Sequence, residues 1–433
     1  MANITEETLT IKPWRTTEKV LFRVIAAYLM VYLFPFPINY ISFVWGYVSE
    51  YYGMVWQVLC DWTSIYVFGL EEAVQQQYTG SGDTMYDYVT SVVNLALGFL
   101  IALIWNILDW RRPHYEKLYF YLEILVRYSL AFALITYGLI KIIKTQFPAP
   151  GPWLLSKPIG DLSPMGLAWL FMGYSPGFNL FTGLGEAIGG LLIFYRRTRL
   201  LGLFLAIAVL SNVVVMNFCY DIPVKLYSAH LLLMAMLLLV RDIPKIINFF
   251  FLDQISAAQV WYQPLFFKKY KIPILLTKLA FIAYVVYPLL TNTLANQKKW
   301  GDLKPKPALY GIYEVENFYK NDTLQPPLLT DSVRWRTMIV QWEGHVNIKL
   351  TNEAVVGWKF EVDTTAQTIA MHSYRDSATI NGVFAYSQPS SEKLLLEGRW
   401  KQDSLRVEFN YKSADDFKLL QRKFHWVNER PYH

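Results

Sequence analysis

The stretch LYFYLEILVRYSLAFALITYGLIKII, residues 118–143, decides the fold. A helix crossing about 30 Å of hydrocarbon needs roughly 20 mostly apolar residues, and this one exceeds that with Glu123, Arg127 and Lys141 as its only charges. Six further windows are as long or nearly so: 20–44, 88–108, 176–195, 199–219, 224–241 and 273–294. Pro35 and Pro37 should break the first near its end, and the sixth is short. With 54% apolar and 17% aromatic residues among 433, the composition excludes a wholly cytosolic protein. Residues 1–297 carry 21 Lys/Arg and 17 Asp/Glu, whereas 298–433 carry 19 and 17 in fewer than half as many positions. The expected fold is therefore a polytopic helical membrane bundle of about seven spans joined to a polar domain. The net charge of +6 is spread over both parts, which gives no basic face for nucleic acid. No signal-peptide cleavage pattern opens the chain, so the first apolar run is expected to stay as an anchor.

Lys and Arg in short connections are retained on the cytoplasmic side. Lys12, Arg15, Lys19 and Arg23 precede or open the first span, and Arg111, Arg112 and Lys117 follow the second. Arg196, Arg197 and Arg199 then mark one later connection, and Arg241, Lys245, Lys268, Lys269 and Lys271 another. Segment 45–87, by contrast, holds Glu50, Asp61, Glu71, Glu72, Asp83 and Asp87 and no Lys or Arg. The alternation puts the N-terminus in the cytoplasm and, after seven crossings, residues 298–433 outside. The aromatic, acid-punctuated part of 45–87 suits one or two short helices in the outer interface. Gly80-Ser-Gly82-Asp83-Thr84 should end in an N-cap for the second span. Residues 144–175, with five prolines, read as an ordered outer loop, and 242–272 as an amphipathic cytoplasmic segment with Phe249, Phe250 and Phe251 in lipid. The chain thus divides into N-terminal spans (1–117), a four-helix membrane domain (118–241), the amphipathic segment with the last span (242–297), and the periplasmic domain (298–433).

From 309 onward short alternating runs appear, such as Trp335-Thr337-Ile339, Val346-Ile348-Leu350 and Leu405-Val407-Phe409, separated by polar turns. That is an antiparallel β domain of about eight or nine strands, closed into a small barrel or stacked as a sandwich. A barrel of this size either holds one small ligand or is filled by side chains.

Charges inside spans are costly, so each is either functional or part of an ion pair. Glu123 and Arg127 are four apart and share a helix face. Arg127 and Lys141 return to nearly the same face after four turns. Glu186 lies in the small-residue run Gly183-Leu-Gly185-Glu186-Ala-Ile-Gly189-Gly190, which permits close helix approach; its partner is expected to be Arg127 or Lys141. Tyr137, Asn179, Asn212, Asn217 and His230 are expected to add hydrogen bonds to the same interior.

The run RYSLAFALITYGLIK (127–141), followed by GEAIGGLLIFYRRTRLLG (185–202), resembles the DoxX-type four-helix membrane domain: an Arg-led helix ending in Gly-x-x-Lys, then a Glu-x-x-Gly-Gly helix. The resemblance covers about 118–241, and the whole chain, ending in Phe424-His-Trp-Val-Asn-Glu-Arg-Pro431, is similar to long DoxX-family proteins of Bacteroidota. It implies a membrane fold and several roles. The family name comes from a thiosulfate:quinone oxidoreductase, and relatives of the fold include subunits of thiol-redox complexes, the surfeit-locus cargo receptor and the vitamin K-dependent carboxylase. By resemblance alone, a quinone is a possible cofactor.

Chemistry on the residues themselves is sparse. No Cys-x-x-Cys pair, dinucleotide fingerprint, serine elbow or metal-ligand spacing occurs, and no metal is expected. Cys60 and Cys219 are both expected near the outer face, as a single disulfide or as two separate thiols. Asn321-Asp-Thr323 matches a glycosylation acceptor. Three readings follow: a membrane subunit or scaffold binding partner proteins or an envelope lipid, an oxidoreductase component, and a lipid or small-molecule carrier. The last two would use the interior around Arg127, Lys141 and Glu186.

Overall fold

A computed structural model describes residues 13–77, 79–254, 262, 264–374, 380–422 and 424–431; Lys12 and the Lys268 side chain lie outside the described residues. The chain forms two compact units, Met1–Gln146 with Pro176–Asn296, and Phe147–Ser175 with Gln297–His433. Its helices are α1 (Thr16–Leu33), α2 (Ser42–Tyr66), α3 (Met85–Leu108), α4 (Glu116–Ile142), α5 (Pro152–Leu155), α6 (Pro164–Tyr174), α7 (Pro176–Phe194), α8 (Arg199–Cys219), α9 (Lys225–Leu239), α10 (Ile243–Phe250), α11 (Leu265–Lys269), α12 (Lys271–Lys299) and α13 (Lys418–Gln421).

The first unit is a helical bundle. Seven of its helical segments, among the described residues, are long and apolar enough to cross a membrane, so the chain is a membrane protein by the length and composition of its helices. α1 ends at Leu33, just before Phe34-Pro35, where the proline ring crowds a preceding helical residue. The sixth segment is longer than its apolar run: a 3₁₀ turn at Val240–Asp242 carries α9 into α10, so that it extends to Phe250. Phe249, Phe250 and Phe251 are exposed there, and the first two stand in the extended helical segment and not in a separate one after it. α2 differs from the expected short helices. It is one helix of 25 residues, packed on α3 through Cys60 against Tyr86, Val89 and Val93. Thr84 caps α3 as its sequence indicates, accepting from the Asp87 N–H at 3.3 Å while the Asp87 carboxylate accepts from the Thr84 N–H at 2.8 Å. Asp83 caps a second helix, α9, by accepting from the N–H groups of Lys225 and Leu226 at 2.8 and 3.0 Å.

α4 and α7 make the closest pair, and glycine is the reason. A Cβ on Gly138 would stand 2.7 Å from both the Ala187 nitrogen and the Gly183 oxygen, and one on Gly190 2.7 Å from the Ala131 oxygen. Backbone therefore meets backbone, and the interface is held by dispersion over short distances. Beside it, Leu130, Phe132, Leu134, Ile193, Leu203 and Met234 form the buried core.

The second unit is a β barrel with an added segment. Its strands are β1 (Gly311–Lys320), β2 (Thr323–Leu324), β3 (Trp335–Trp342), β4 (His345–Leu350), β5 (Val355–Asp363), β6 (Thr368–His372), β7 (Ile380–Ser390), β8 (Lys393–Trp400) and β9 (Asp403–Lys412). Neighbours pair antiparallel in chain order, β2 is a short flap on β1, and β1 pairs with β9, so eight strands close a meander. Leu405, Val407 and Phe409 alternate inward against the Arg406 and Glu408 of the outer face. With Trp335, Met338, Phe360, Phe384 and Leu396 they fill the interior, which leaves it a side-chain core. Residues 147–175 belong with this unit, not with the membrane domain in which the sequence placed them as a loop. The Trp153 N–H donates to the Gln341 side chain of β3 at 2.7 Å, and the Ala149 N–H to Asp302 at 2.7 Å.

Candidate functional site

The bundle holds two buried polar clusters, and they divide the residues that the helical spacing had placed on one face. In the first, Lys141 comes from the last turn of α4 and Glu186 from the middle of α7. The Lys141 ammonium donates to both Glu186 oxygens, at 2.7 and 2.6 Å, and the two residues are 5% and 2% exposed. The glycine contacts between α4 and α7 bring these side chains into direct contact. The Lys141 ammonium also lies 5.6 Å from the centre of the Tyr137 ring, and Tyr137 in turn packs on Tyr227 at 5.9 Å.

Arg127 is not Glu186's partner. It lies in the second cluster, where its Nη1 is 3.5 Å from Glu123. The carboxylate of Glu123 accepts from Arg199 at 3.1 Å, and Arg199 also pairs with Asp242. Three elements distant in sequence, α4, α8 and the turn after α9, are thus tied by one guanidinium. Next to them Arg241 donates to both oxygens of Glu116, at 2.8 and 2.9 Å, and Glu116 accepts from the Trp14 ring at 3.0 Å. Buried Arg23 donates to Tyr115 at 2.7 Å and to the Asp109 carbonyl at 2.7 Å. None of Arg23, Glu116, Arg199, Arg241 and Asp242 stood among the candidate interior residues. The signal in Arg23 was its charge within the first span, but the basic residues beside the spans had been read only for orientation.

His230 is half-buried and bonded on both ring nitrogens. Its Nδ1 faces the Leu226 carbonyl at 2.6 Å, and its Nε2 faces the Tyr28 hydroxyl at 2.5 Å. A carbonyl only accepts, so Nδ1 carries a proton and donates it to Leu226. Tyr32 stacks on the same ring at 4.3 Å. Asn179 and Asn217 are buried, with Asn217 donating to Ser228 at 3.0 Å. Asn212 is a correction: it is exposed on α8, because five residues of helix turn it well away from the face of Asn217.

Cys60 and Cys219 are both free thiols. Cys60 is wholly buried on α2 and lies 3.4 Å from the Thr90 hydroxyl, whereas Cys219 is exposed at the end of α8. The disulfide is not formed because Cys60 turns inward against α3. Burial pushes the Cys60 thiol up from its ordinary value, which keeps it protonated and a poor nucleophile. Among the described residues no group of three or more His, Cys, Asp or Glu is placed to hold a metal ion.

Comparison with known proteins adds one relative. Over 134 residues the chain is 34% identical to a Bacillus subtilis protein called uncharacterized protein YwoB, covering 31% of this chain and 85% of that one. No family model matches, and no solved structure matches.

Proposed function

The chain belongs to the family of the Bacillus subtilis uncharacterized protein YwoB, a name that specifies no activity, and from that premise we propose that it works through binding surfaces. It serves as an inner-membrane subunit or scaffold, with its N-terminus in the cytoplasm, its β barrel in the periplasm, and partner proteins or envelope lipid as ligands. One observation carries this reading: buried Lys141 and the arginines at the helix ends are already paired with carboxylates, while Arg127 meets Glu123 only at 3.5 Å. Lys141 spends its ammonium on Glu186, Arg199 links Glu123 with Asp242, and Arg241 is held bidentately by Glu116. An anionic substrate at Lys141 would have to displace a carboxylate that accepts two charge-assisted hydrogen bonds. The barrel, filled by aromatic and aliphatic side chains, offers its surface rather than its interior.

The DoxX-type reading, an oxidoreductase component that holds a quinone or sulfur compound near Arg127, Lys141 and Glu186, predicts the opposite. The test is native mass spectrometry of the full chain extracted in mild detergent, comparing the native protein with the double variant Lys141→Met, Glu186→Leu. Removing both charges strands neither. A protein partner at fixed stoichiometry in both samples supports the scaffold. A small molecule bound to the native chain and absent from the double variant overturns it.

A further inference from the structure

β1 and β3 pair only from Gly311 opposite Val340 to Glu314 opposite Thr337. Beyond that point the two strands part, and the chain between them folds back into the gap, where the Gln325 N–H donates to the Phe318 carbonyl at 2.8 Å. A cleft of about 750 Å³ lies there on the outside of the barrel. Glu314, Arg336 and Thr337 face it, while Tyr313 and Met338 of the same strands point into the core. The volume is in the range of small-molecule sites.

Arg334 marks the cleft as a site. The residue is 4% exposed and lines the cleft. Its Nε donates to the Gln325 carbonyl at 3.0 Å and its Nη1 to the Trp335 carbonyl at 3.1 Å, while its Nη2 has no partner among the described residues. Carbonyls orient a guanidinium but leave its charge in place, and a buried charge is ordinarily paired. Asp331 stands near it, yet accepts from the backbone N–H groups of Val333 and Arg334 at 2.7 and 3.0 Å and lies outside the lining.

The other charges leave an excess of the same sign. Arg336, Lys349 and Lys412 line the cleft with Arg334, against the carboxylates of Glu314 and Glu316. Glu314 is taken by Lys412 at 2.8 Å and Glu316 by Lys393 at 3.1 Å. Arg336 and Lys349 share the single carboxylate of Glu353. With these partners included, five cations stand against three carboxylates, or four if Asp331 is set against Arg334. We propose that the cleft binds the phosphate group of a small organic phosphate, with Arg334 at its floor and Arg336 and Lys349 at its rim. A phosphate monoester carries about −1.5 to −2 at pH 7, which meets that excess, and guanidinium matches its oxygens. Leu155, Leu324 and Pro327 line the remaining volume and receive the organic part. The scaffold role does not depend on this site.

The test is calorimetric titration of the full chain in detergent, at constant ionic strength, with inorganic phosphate, glycerol 3-phosphate, dihexanoyl phosphatidate and acetate. One organic phosphate should bind per chain, more tightly than inorganic phosphate and at least about tenfold more tightly than acetate. Tightest binding of glycerol 3-phosphate marks a water-soluble ligand, and of the phosphatidate a lipid headgroup. Glu353→Gln frees Arg336 and Lys349 and should tighten binding by about two- to fivefold, the worth of one exposed charge pair, whereas Arg336→Gln should weaken it as much. A purely structural Arg334 predicts neither change. Absence of saturable binding by all three phosphates, or acetate binding as tightly as they do, overturns the proposal, and tightest binding of inorganic phosphate overturns its organic part. Unchanged affinity in a folded Arg334→Met protein also overturns it. If that variant does not fold, unchanged affinity in Glu353→Gln and Arg336→Gln, both exposed positions, does the same.

Discussion

Removing Lys141 and Glu186 singly and together separates an internal pair from two independent residues. Lys141 lies 2.7 and 2.6 Å from the two Glu186 oxygens, and neither side chain is more than 6% exposed. Lys141→Met leaves a carboxylate with no cation beside it in the bundle, a loss of about 3–5 kcal/mol for a broken buried pair. Glu186→Leu strands the ammonium and should cost as much. In the double variant both charges are gone and two apolar side chains of similar reach fill the space, which is close to neutral or costs ~1 kcal/mol. The singles therefore fail to add, with a coupling of about 5 kcal/mol or more, above the usual upper end for residues in contact. The assay is equilibrium unfolding of the bundle by increasing mole fraction of a denaturing detergent, followed by tryptophan fluorescence and checked for reversibility. Additive losses would refute the reasoning, and so would single variants within about 0.5 kcal/mol of the native protein, the range of an ordinary surface change.

Three more expectations follow from other parts of the chain. Gly138→Ala places a methyl 2.7 Å from backbone atoms of α7, so the bundle should lose about 1–3 kcal/mol; Gly46→Ala on α2, with open space around it, should be neutral or gain up to ~1 kcal/mol by helix propensity. The Asn317 side chain, donating at 2.8 Å, and then Arg406 hold the Glu408 carboxyl below its usual range. A lowered folded value means stability present above the ordinary carboxylate range and lost as pH falls through the lowered value, so Glu408→Gln should flatten the acid limb of the barrel's melting temperature against pH, and an unaltered limb would count against the pairing. Asp322→Cys in a Cys219→Ser background should react with an impermeant maleimide in intact spheroplasts if the barrel is periplasmic; protection until lysis would reverse the proposed orientation.

Helix periodicity made part of this arrangement legible, and its failures share one cause. The run from Gly183 to Gly190 announced a close helix contact, because a missing side chain every few residues is a local fact. Glu186 was legible as a buried charge for the same reason. Its partner was not. Arg127 and Lys141 share an azimuth on α4, but fourteen residues at 1.5 Å each put them about 21 Å apart along the axis, and only the height at which α7 packs selects between them. Spacing along one helix reports direction around the axis and says nothing about the level of a neighbour. The strands were easier, since alternation with period two states both which face is buried and, through short turns, which strand comes next.

The second cluster shows the same limit at longer range. Arg199 and Arg241 were readable as basic residues flanking spans, and as such they oriented the chain. Nothing within their own segments pointed to Glu123 and Glu116, some 76 and 125 residues earlier. A charge count treats such residues as solvated, yet here Arg199 is 5% exposed and held between carboxylates from two other elements. The basic residues that flank the spans in the sequence are therefore also cross-links of the bundle. A substitution chosen to probe orientation at Arg199 would disturb packing as well, because it would leave Glu123 and Asp242 buried with one cation fewer. Orientation is better tested at Arg111, which is exposed and adjacent to the same end of the bundle.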